Sequence, residues 1–276
     1  MNATADPMAG TQSVRRAVTM LEAFTDERPS WSVSDLADHI ALNRTTVYRL
    51  LRALEHAGYV HRDPATDTYR LGSGLIALGG RAQRANPVRS VALPELEALA
   101  THSGETATLE IVQGGEMIII EEIPGEFVTS GSQHIGSRWP VYATSTGKAI
   151  LAHLPPAELA DMLAEPLEPL TDKTITSAEV LRECLAEVRR AGYAVAAEEL
   201  ELGFVAVGAP VLDAGGRPAA AISLGGTLTR MTAERIPQIG AEVSAAACRI
   251  SYSLGYRKQS ESTASKGYPN FEGVNR

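Results

Sequence analysis

Apolar residues recur at helical spacing in the first third of the chain. Val14, Ala17, Val18, Leu21 and Phe24 share one side of a 3.6-residue period and predict a helix over residues 13–24. Residues 25–31 contain Pro29 and predict a loop. A second helix is predicted from Ser34, a candidate N-cap with Asp35 in the first turn, through Leu36, Ala37 and Ile40. After the tight segment Ala41-Leu42-Asn43, a third helix is capped by Asn43 and stopped by Gly58. Its Val47, Leu50, Leu51 and Leu54 form an inner stripe. At about 100° per residue, Thr45, Arg49 and Arg52 lie opposite, with Thr46 and Tyr48 on the flanks.

Residues 59–62 and 68–71 flank the turn-rich segment 63–67 and predict a hairpin. Next comes an apolar helix over residues 74–85, with Leu75, Ile76, Ala77 and Leu78, ending before Asn86-Pro87. Beyond that boundary, helices alternate with strands. Helices are predicted at 93–100, at 145–153 and at 180–191 with Gly192 as its stop. Strands are predicted at 107–112 and 117–123, joined at Gly114-Gly115, and at 205–212 and 218–224, joined at Asp213-Ala214-Gly215-Gly216. A closing helix over 233–254 is expected to break near Pro237. Residues 1–10 and 258–276 lack a periodic apolar pattern and are expected to be disordered tails.

Two helices joined by a short turn, the second with an Arg/Thr/Tyr outer face, describe a helix-turn-helix. The hairpin behind it reads as a wing, whose Arg62 and Arg70 suit backbone phosphates. Arg49 can fork onto a guanine edge or clamp a phosphate, and Thr45 and Thr46 can reach bases or phosphates. Candidate DNA contacts are Arg16, Ser34, Asn43, Arg44, Thr45, Thr46, Tyr48, Arg49, Arg52, Arg62 and Arg70. A three-helix protein-interaction module with a solvated charged face gives the same pattern.

Charge changes the picture once it is divided. A net charge of −8, spread evenly over the chain, would oppose nucleic acid. Residues 11–86, however, carry ten Arg against eight acidic residues, and residues 87–257 carry twelve basic against twenty-two acidic. The acidity belongs to the second part, and counterion release needs only a local basic face. A hydrophobic fraction of 44% suits a globular chain. Cys184 and Cys248 lie in helical patterns without metal-ligand spacing and read as small apolar helix residues of a cytoplasmic protein. No run of about 18 apolar residues predicts a membrane span, and the start lacks the regions of a signal peptide.

Catalytic chemistry finds little support. Thr144-Ser145-Thr146-Gly147-Lys148-Ala149 echoes a phosphate loop, but the upstream glycine is missing and Ala149 stands where a hydroxyl would bind the metal. His102, His134 and His153 lack zinc spacing, and no nucleophile elbow is present. Neither a cofactor nor a metal is expected.

Several motifs fall in order along residues 11–257. The first are Gln12-Ser13-Val14-x-Arg16-Ala17, Thr46-Val47-Tyr48-Arg49-Leu50-Leu51, Gly58-Tyr59-Val60 and Tyr69-x-Leu71-Gly72. Later come Gly136-Ser137-Arg138-x-Pro140-Val141-x-Ala143, Gly147-Lys148-Ala149, Gly192-Tyr193-Ala194-Val195, Glu198-Glu199, Ala209-Pro210-Val211 and Ala220-Ala221-Ile222-Ser223. In these motifs the chain resembles IclR-type transcriptional regulators. The resemblance implies an α+β protein: a winged helix-turn-helix at 11–72, a linker helix at 73–86, and a GAF-like effector domain at 87–257 with an antiparallel sheet flanked by helices. It also implies a homodimer or homotetramer on a double-stranded operator, and no enzyme activity.

In similar proteins a small-molecule effector lies over the sheet, under a loop whose backbone amides can hold a carboxylate. Gly136 and Ser137 match that loop, and Ser223 matches a hydroxyl on the last strand. Three polar positions of the pattern are lost: Ala196 (with Ala197), Ala206 and Gly225 stand there, while Phe204 adds apolar bulk. A pocket short of three hydrogen-bonding groups suits a small oxygenated acid poorly. The expected effector is an organic acid with one carboxylate end and a larger apolar or aromatic body, acting on a catabolic operon as a repressor or activator. Two other readings are a constitutive DNA-binding protein whose second domain only oligomerises, and an enzyme with an appended helix-turn-helix.

Overall fold

The computed structural model describes residues 11–127, 134–164 and 166–257. The two expected tails lie outside the described residues. Contacts divide the chain into two units, one ending at Ala85 and one starting at Asn86.

The first unit holds α1 (Gln12–Glu22), β1 (Ser30–Trp31), α2 (Val33–His39), α3 (Arg44–His56), β2 (Val60–Asp63), β3 (Thr68–Leu71) and α4 (Ser73–Ala85). One core gathers Met20, Phe24, Trp31, Leu36, Val47, Leu51, Val60 and Tyr69, all buried; the stripe expected on the first helix is only partly inside, since Val14 and Val18 are exposed and Met20 is buried instead. The expected hairpin is there, with Val60 opposite Leu71 and Asp63 opposite Thr68. It gains a third strand, because Ser30–Trp31 pairs with Tyr69–Arg70 where a loop was expected. Trp31 anchors that strand by burying its ring and donating its indole N–H to Ala23 O at 2.8 Å. The N-cap of α2 is Ser32, not Ser34. Ser32 is extended and its Oγ accepts from Asp35 N at 3.1 Å, which places Ser34 inside the first turn. Asn43 caps α3 as expected, accepting from Thr46 N at 2.8 Å. Between the two helices Ala41 takes a left-handed φ of 53°, a conformation that disfavours any residue with a Cβ.

The second unit is built on a six-stranded antiparallel sheet of order β6-β5-β4-β9-β8-β7. The strands are β4 (Thr106–Gln113), β5 (Glu116–Ile123), β6 (Arg138–Pro140), β7 (Ala194–Ala197), β8 (Phe204–Leu212) and β9 (Pro218–Thr227). Helices α5 (Pro87–Ser103) and α9 (Ile236–Ser253) cover one face, packing on Ala107, Leu109, Val205, Val207, Ile222 and Leu224. On the other lie α6 (Ser145–Leu151) and α8 (Ala178–Ala191), with α7 (Pro156–Met162) between them in the chain. The period-2 alternation therefore turns Thr108, Glu110 and Ser223 toward α6.

In the second unit β6, α7 and β7 escaped the sequence patterns, as β1 did in the first. All are short, and β6 and β7 are the sheet's edges. The closing helix does not break at Pro237. It starts there, because proline in a first turn gives up no needed N–H. Helix α5 is longer than expected and runs through Pro94, after Asn86 Oδ1 accepts from Val88 N and Arg89 N. Both cysteines are free and helical; Cys184 is half-buried, whereas Cys248 is exposed rather than packed.

A Cβ on Gly147 would lie 2.0 Å from Val141 O. Gly147→Ala is expected to destabilise the second unit by about 3 kcal/mol, since the obstacle is backbone. Urea unfolding in a Trp31→Phe background reads that unit through Trp139 alone. An unchanged midpoint would show that the helix shifts freely.

Candidate DNA-binding face and ligand cavity

Helix α3 presents Asn43, Arg44, Thr45, Tyr48, Arg49 and Arg52 to solvent, while Val47 and Leu51 are buried beneath. Thr46 is half-buried, and so are Arg16 on α1 and Ser34 on α2. The wing lies beside this face. Tyr69 is buried in the wing sheet and shares one core with Val47 and Leu51 of α3. Sequence periodicity identified Tyr69 only as a strand residue; its role in joining helix to wing needs the fold.

The arginines divide into two groups. Arg52 is paired with Glu55 at 2.7 Å, one turn along α3. Arg62 Nε donates to Asp67 at 2.6 Å across the hairpin tip, and Asp67 holds the guanidinium above its usual pKa range. Arg44, Arg49 and Arg70 are exposed and make no ion pair among the described residues. The expected arginine set is therefore present, but two of its members already have partners.

In the second unit a small cavity lies between the sheet and the first turn of α6. Each strand gives it at least one residue: Glu110 from β4, Ile119 from β5, Trp139 from β6, Ala196 from β7, Phe204 and Ala206 from β8, and Ser223 from β9. Ala143, Thr144, Ser145, Thr146 and Leu200 complete the lining. Ala196 and Ala206 stand directly opposite each other in the sheet, and Ala206 opposite Gly225.

Two expectations need correction. Gly136 and Ser137 do not line the cavity, and their amides are spent: Gly136 N donates to Ile119 O at 2.8 Å and Ser137 N to His134 O at 2.9 Å. They cannot hold a carboxylate in this arrangement. Gly225 does not enlarge the space either. A Cβ there would meet Phe204 Cζ at 2.6 Å, so the room is filled by the phenyl ring. Ala196, Phe204, Ala206 and Ser223 do line it.

Sequence reasoning missed the polar side of the cavity. Glu110 is buried, and its Oε2 accepts from Thr146 Oγ1 at 2.6 Å while Oε1 accepts from Thr108 Oγ1 at 2.9 Å. Thr108 Oγ1 lies 2.7 Å from Ser223 Oγ. Burial raises the Glu110 pKa, against the pull of the two threonine hydroxyls. Trp139 Nε1 is a buried donor without an acceptor in a residue that lines the cavity. Behind the first turn of α6, Lys148 is buried and paired with Glu199 at 2.5 Å, and also donates to Val195 O at 2.6 Å. The Lys148 of the apparent phosphate loop is thus a buried structural cation. An alternating-period signal at Glu110, a charged residue at an inward strand position, was the available clue.

Among the described residues no helix is long and apolar enough to cross a membrane. Residues 13–64 match the family model "IclR helix-turn-helix domain", and residues 81–252 match "Bacterial transcriptional regulator IclR C-terminal". The chain is 32% identical over 246 residues to the HTH-type transcriptional regulator XynR of Escherichia coli (strain K12), covering 89% of this chain and 98% of that one. An IclR transcriptional regulator from Alicyclobacillus acidocaldarius superposes with a TM-score of 0.81 at 30% identity, over 88% of this chain and 99% of that chain. An IclR homologue from Microbacterium hydrocarbonoxydans, in complex with 4-hydroxybenzoate, superposes with a TM-score of 0.76 at 28% identity, over 88% and 98%. With both of its units matched in order by models of regulators rather than enzymes, the chain belongs to the IclR family of helix-turn-helix transcriptional regulators.

Proposed function

We propose that the protein is a homo-oligomeric cytoplasmic regulator of a catabolic operon, whose grip on its operator is set by a carboxylate with an apolar or aromatic body. In this reading residues 11–72 bind DNA, 73–86 link, and 87–257 sense. The observation that carries it is the two-sided cavity. One side is apolar, with Ile119, Ala143, Ala196, Leu200, Phe204 and Ala206; the other has Glu110, Thr144, Ser145, Thr146 and Ser223, and the lining includes Trp139, whose N–H has no acceptor among the described residues. The relative that holds 4-hydroxybenzoate carries a ligand of this class.

On DNA, Arg44, Thr45, Tyr48 and Arg49 read the major groove from α3, and Arg62 and Arg70 take phosphates from the wing. Arg16, Ser34, Asn43, Thr46 and Arg52 support the same face. Exposed ion pairs contribute little, so a phosphate can replace Asp67 on Arg62.

Calorimetry with a panel of acids is expected to rank benzoate-like compounds above glyoxylate and pyruvate. Tight binding of the small oxo-acids alone would overturn the reading of the cavity. Arg49→Ala is expected to cost about 1–3 kcal/mol on the operator and less on random DNA at matched salt. Equal losses would make Arg49 a phosphate contact. Asp67→Asn keeps a residue tolerant of the left-handed φ of 56° and releases Arg62. It is expected to tighten operator and random DNA alike, whereas Arg62→Ala lowers the salt slope by about 1. An unchanged slope in Arg62→Ala would remove the wing from the interface.

A further inference from the structure

Glu110, Thr108 and Ser223 form a hydrogen-bonded row in which both ends, Glu110 and Ser223, line the cavity and Thr108 joins them from outside its lining. Thr108 Oγ1 lies 2.9 Å from Glu110 Oε1 and 2.7 Å from Ser223 Oγ, and Ser223 lines the cavity. Each hydroxyl has one proton to donate. When Glu110 is ionised, Thr108 must donate to it, and Ser223 then donates to Thr108. The Ser223 proton is spent, and the serine shows the cavity only lone pairs. When Glu110 is protonated on Oε1, the row reverses. Glu110 donates to Thr108, Thr108 donates to Ser223, and the Ser223 proton is free to point into the cavity. Thr146 donates to Oε2 at 2.6 Å in both states.

We propose that a carboxylate effector binds with uptake of one proton by Glu110, which turns Ser223 from an acceptor into a donor toward the effector. Glu110 is thus a positioning residue that matches the cavity to anions. The inference rests on the reading that this cavity takes a carboxylate.

The surroundings suit such a proton. β5 sets Ile119 opposite Glu110, β9 sets Ala221 opposite it with Ser223 beyond, and α6 offers Thr146. Charged groups on these elements are engaged elsewhere. Lys148 of α6 pairs with Glu199, Glu121 of β5 with Arg89 of α5, Glu116 of β5 with Arg138 of β6, and Glu122 of β5 lies 3.8 Å from His134. Among the described residues, no cation stabilises the Glu110 carboxylate, and burial favours its neutral form.

The sign follows. The complex holds its proton more tightly than the free protein, so affinity is highest at low pH and falls as pH rises past the pKa of free Glu110. The test uses the full-length protein and 4-hydroxybenzoate, titrated from about pH 6 to about pH 8 in buffers of different ionisation enthalpy; the ligand carboxylate stays ionised there. At pH values above the pKa of free Glu110, wild type is expected to take up a proton, approaching one per site, and to lose up to about tenfold in affinity per pH unit; below that pKa both effects fade. Glu110→Gln, whose amide N–H₂ donates permanently to Thr108, is expected to bind with no proton uptake and no pH dependence. Thr108→Val cuts the row while leaving Glu110 in place, and is expected to lose the uptake as well. Binding by wild type without proton uptake would overturn the proposal. Uptake that persists in Thr108→Val would also overturn it, since plain repulsion between carboxylates needs no Thr108. Failure of wild type to bind 4-hydroxybenzoate at any pH, with tight binding of glyoxylate or pyruvate, would instead remove the reading beneath it and the proposal together.

Discussion

Two glycines let the backbones around α6 approach without a side chain between them: Gly208 where β8 meets its first turn, and Gly147 where α6 meets the turn at Val141 just before it. A Cβ on Gly147 would lie 2.0 Å from Val141 O, and one on Gly208 would lie 2.9 Å from the backbone of Ser145 and Thr146. Packed this closely, α6 is buried along its whole length, Lys148 included. A buried ammonium without a partner is strongly destabilising. Glu199 and Val195 O supply the partners, and that commits the end of β7. The connection that follows is then fixed. Thr171 and Thr174 donate to the carbonyls of Glu198 and Glu199 at 2.7 Å, and Glu198 turns the chain at a φ of 59°. Leu200 reaches the cavity wall from this segment. One steric constraint between a helix and a sheet therefore sets the floor, one wall and the buried ion pair behind them.

The DNA-binding unit rests on a different balance. Its surplus of positive charge is small, and exposed arginines share their surface with Glu55 and Asp67. Exposed pairs are worth about 1 kcal/mol or less, so they orient the guanidinium groups at little cost to a later phosphate contact. The acidic excess sits in the other part of the sequence. At physiological salt, charges are screened beyond about 8 Å, so that excess acts weakly on contacted phosphates. A net acidic protein can bind DNA because the interaction is local.

Periodicity in the sequence revealed most of the framework and less of the cavity. The α3 stripe Val47, Leu50, Leu51 and Leu54, the Asn43 cap and both main hairpins follow from short-range patterns, and short-range physics makes them. Ser34 was preferred to Ser32 as a cap because the two are equivalent in composition; only the extended backbone at Ser32 separates them. Ser30–Trp31, Arg138–Pro140 and Ala194–Ala197 are too short to carry a period, and their pairing partners lie far away in sequence. The cavity residues were legible against a family pattern, Ser223 by matching it and Ala196, Phe204 and Ala206 by departing from it. Glu110 and Trp139 were not: the meaning of Glu110 arises from a row joining residues 108, 110, 146 and 223, and that of Trp139 from its place on a three-residue edge strand. Gly225 shows the limit plainly: loss of a side chain suggested space, yet Phe204 from the neighbouring strand occupies it.

Effector selectivity in such a cavity comes from polar atoms more than from area. Burying a ring against Ile119, Leu200 and Phe204 gains about 25 cal/mol per Å² for any ring of similar size. A buried donor left without an acceptor costs about 1–3 kcal/mol, and the Trp139 indole N–H is such a donor. A ligand atom that accepts from it recovers that cost, and a hydrocarbon of the same shape does not. The two terms are separable, which allows a largely apolar cavity to discriminate. An effector changes operator affinity only by the difference in its affinity for two states of the protein. Because the cavity draws on all six strands and the first turn of α6, any rearrangement of those elements changes the contacts an effector makes. That geometry supplies the differential contacts that control by a small molecule requires.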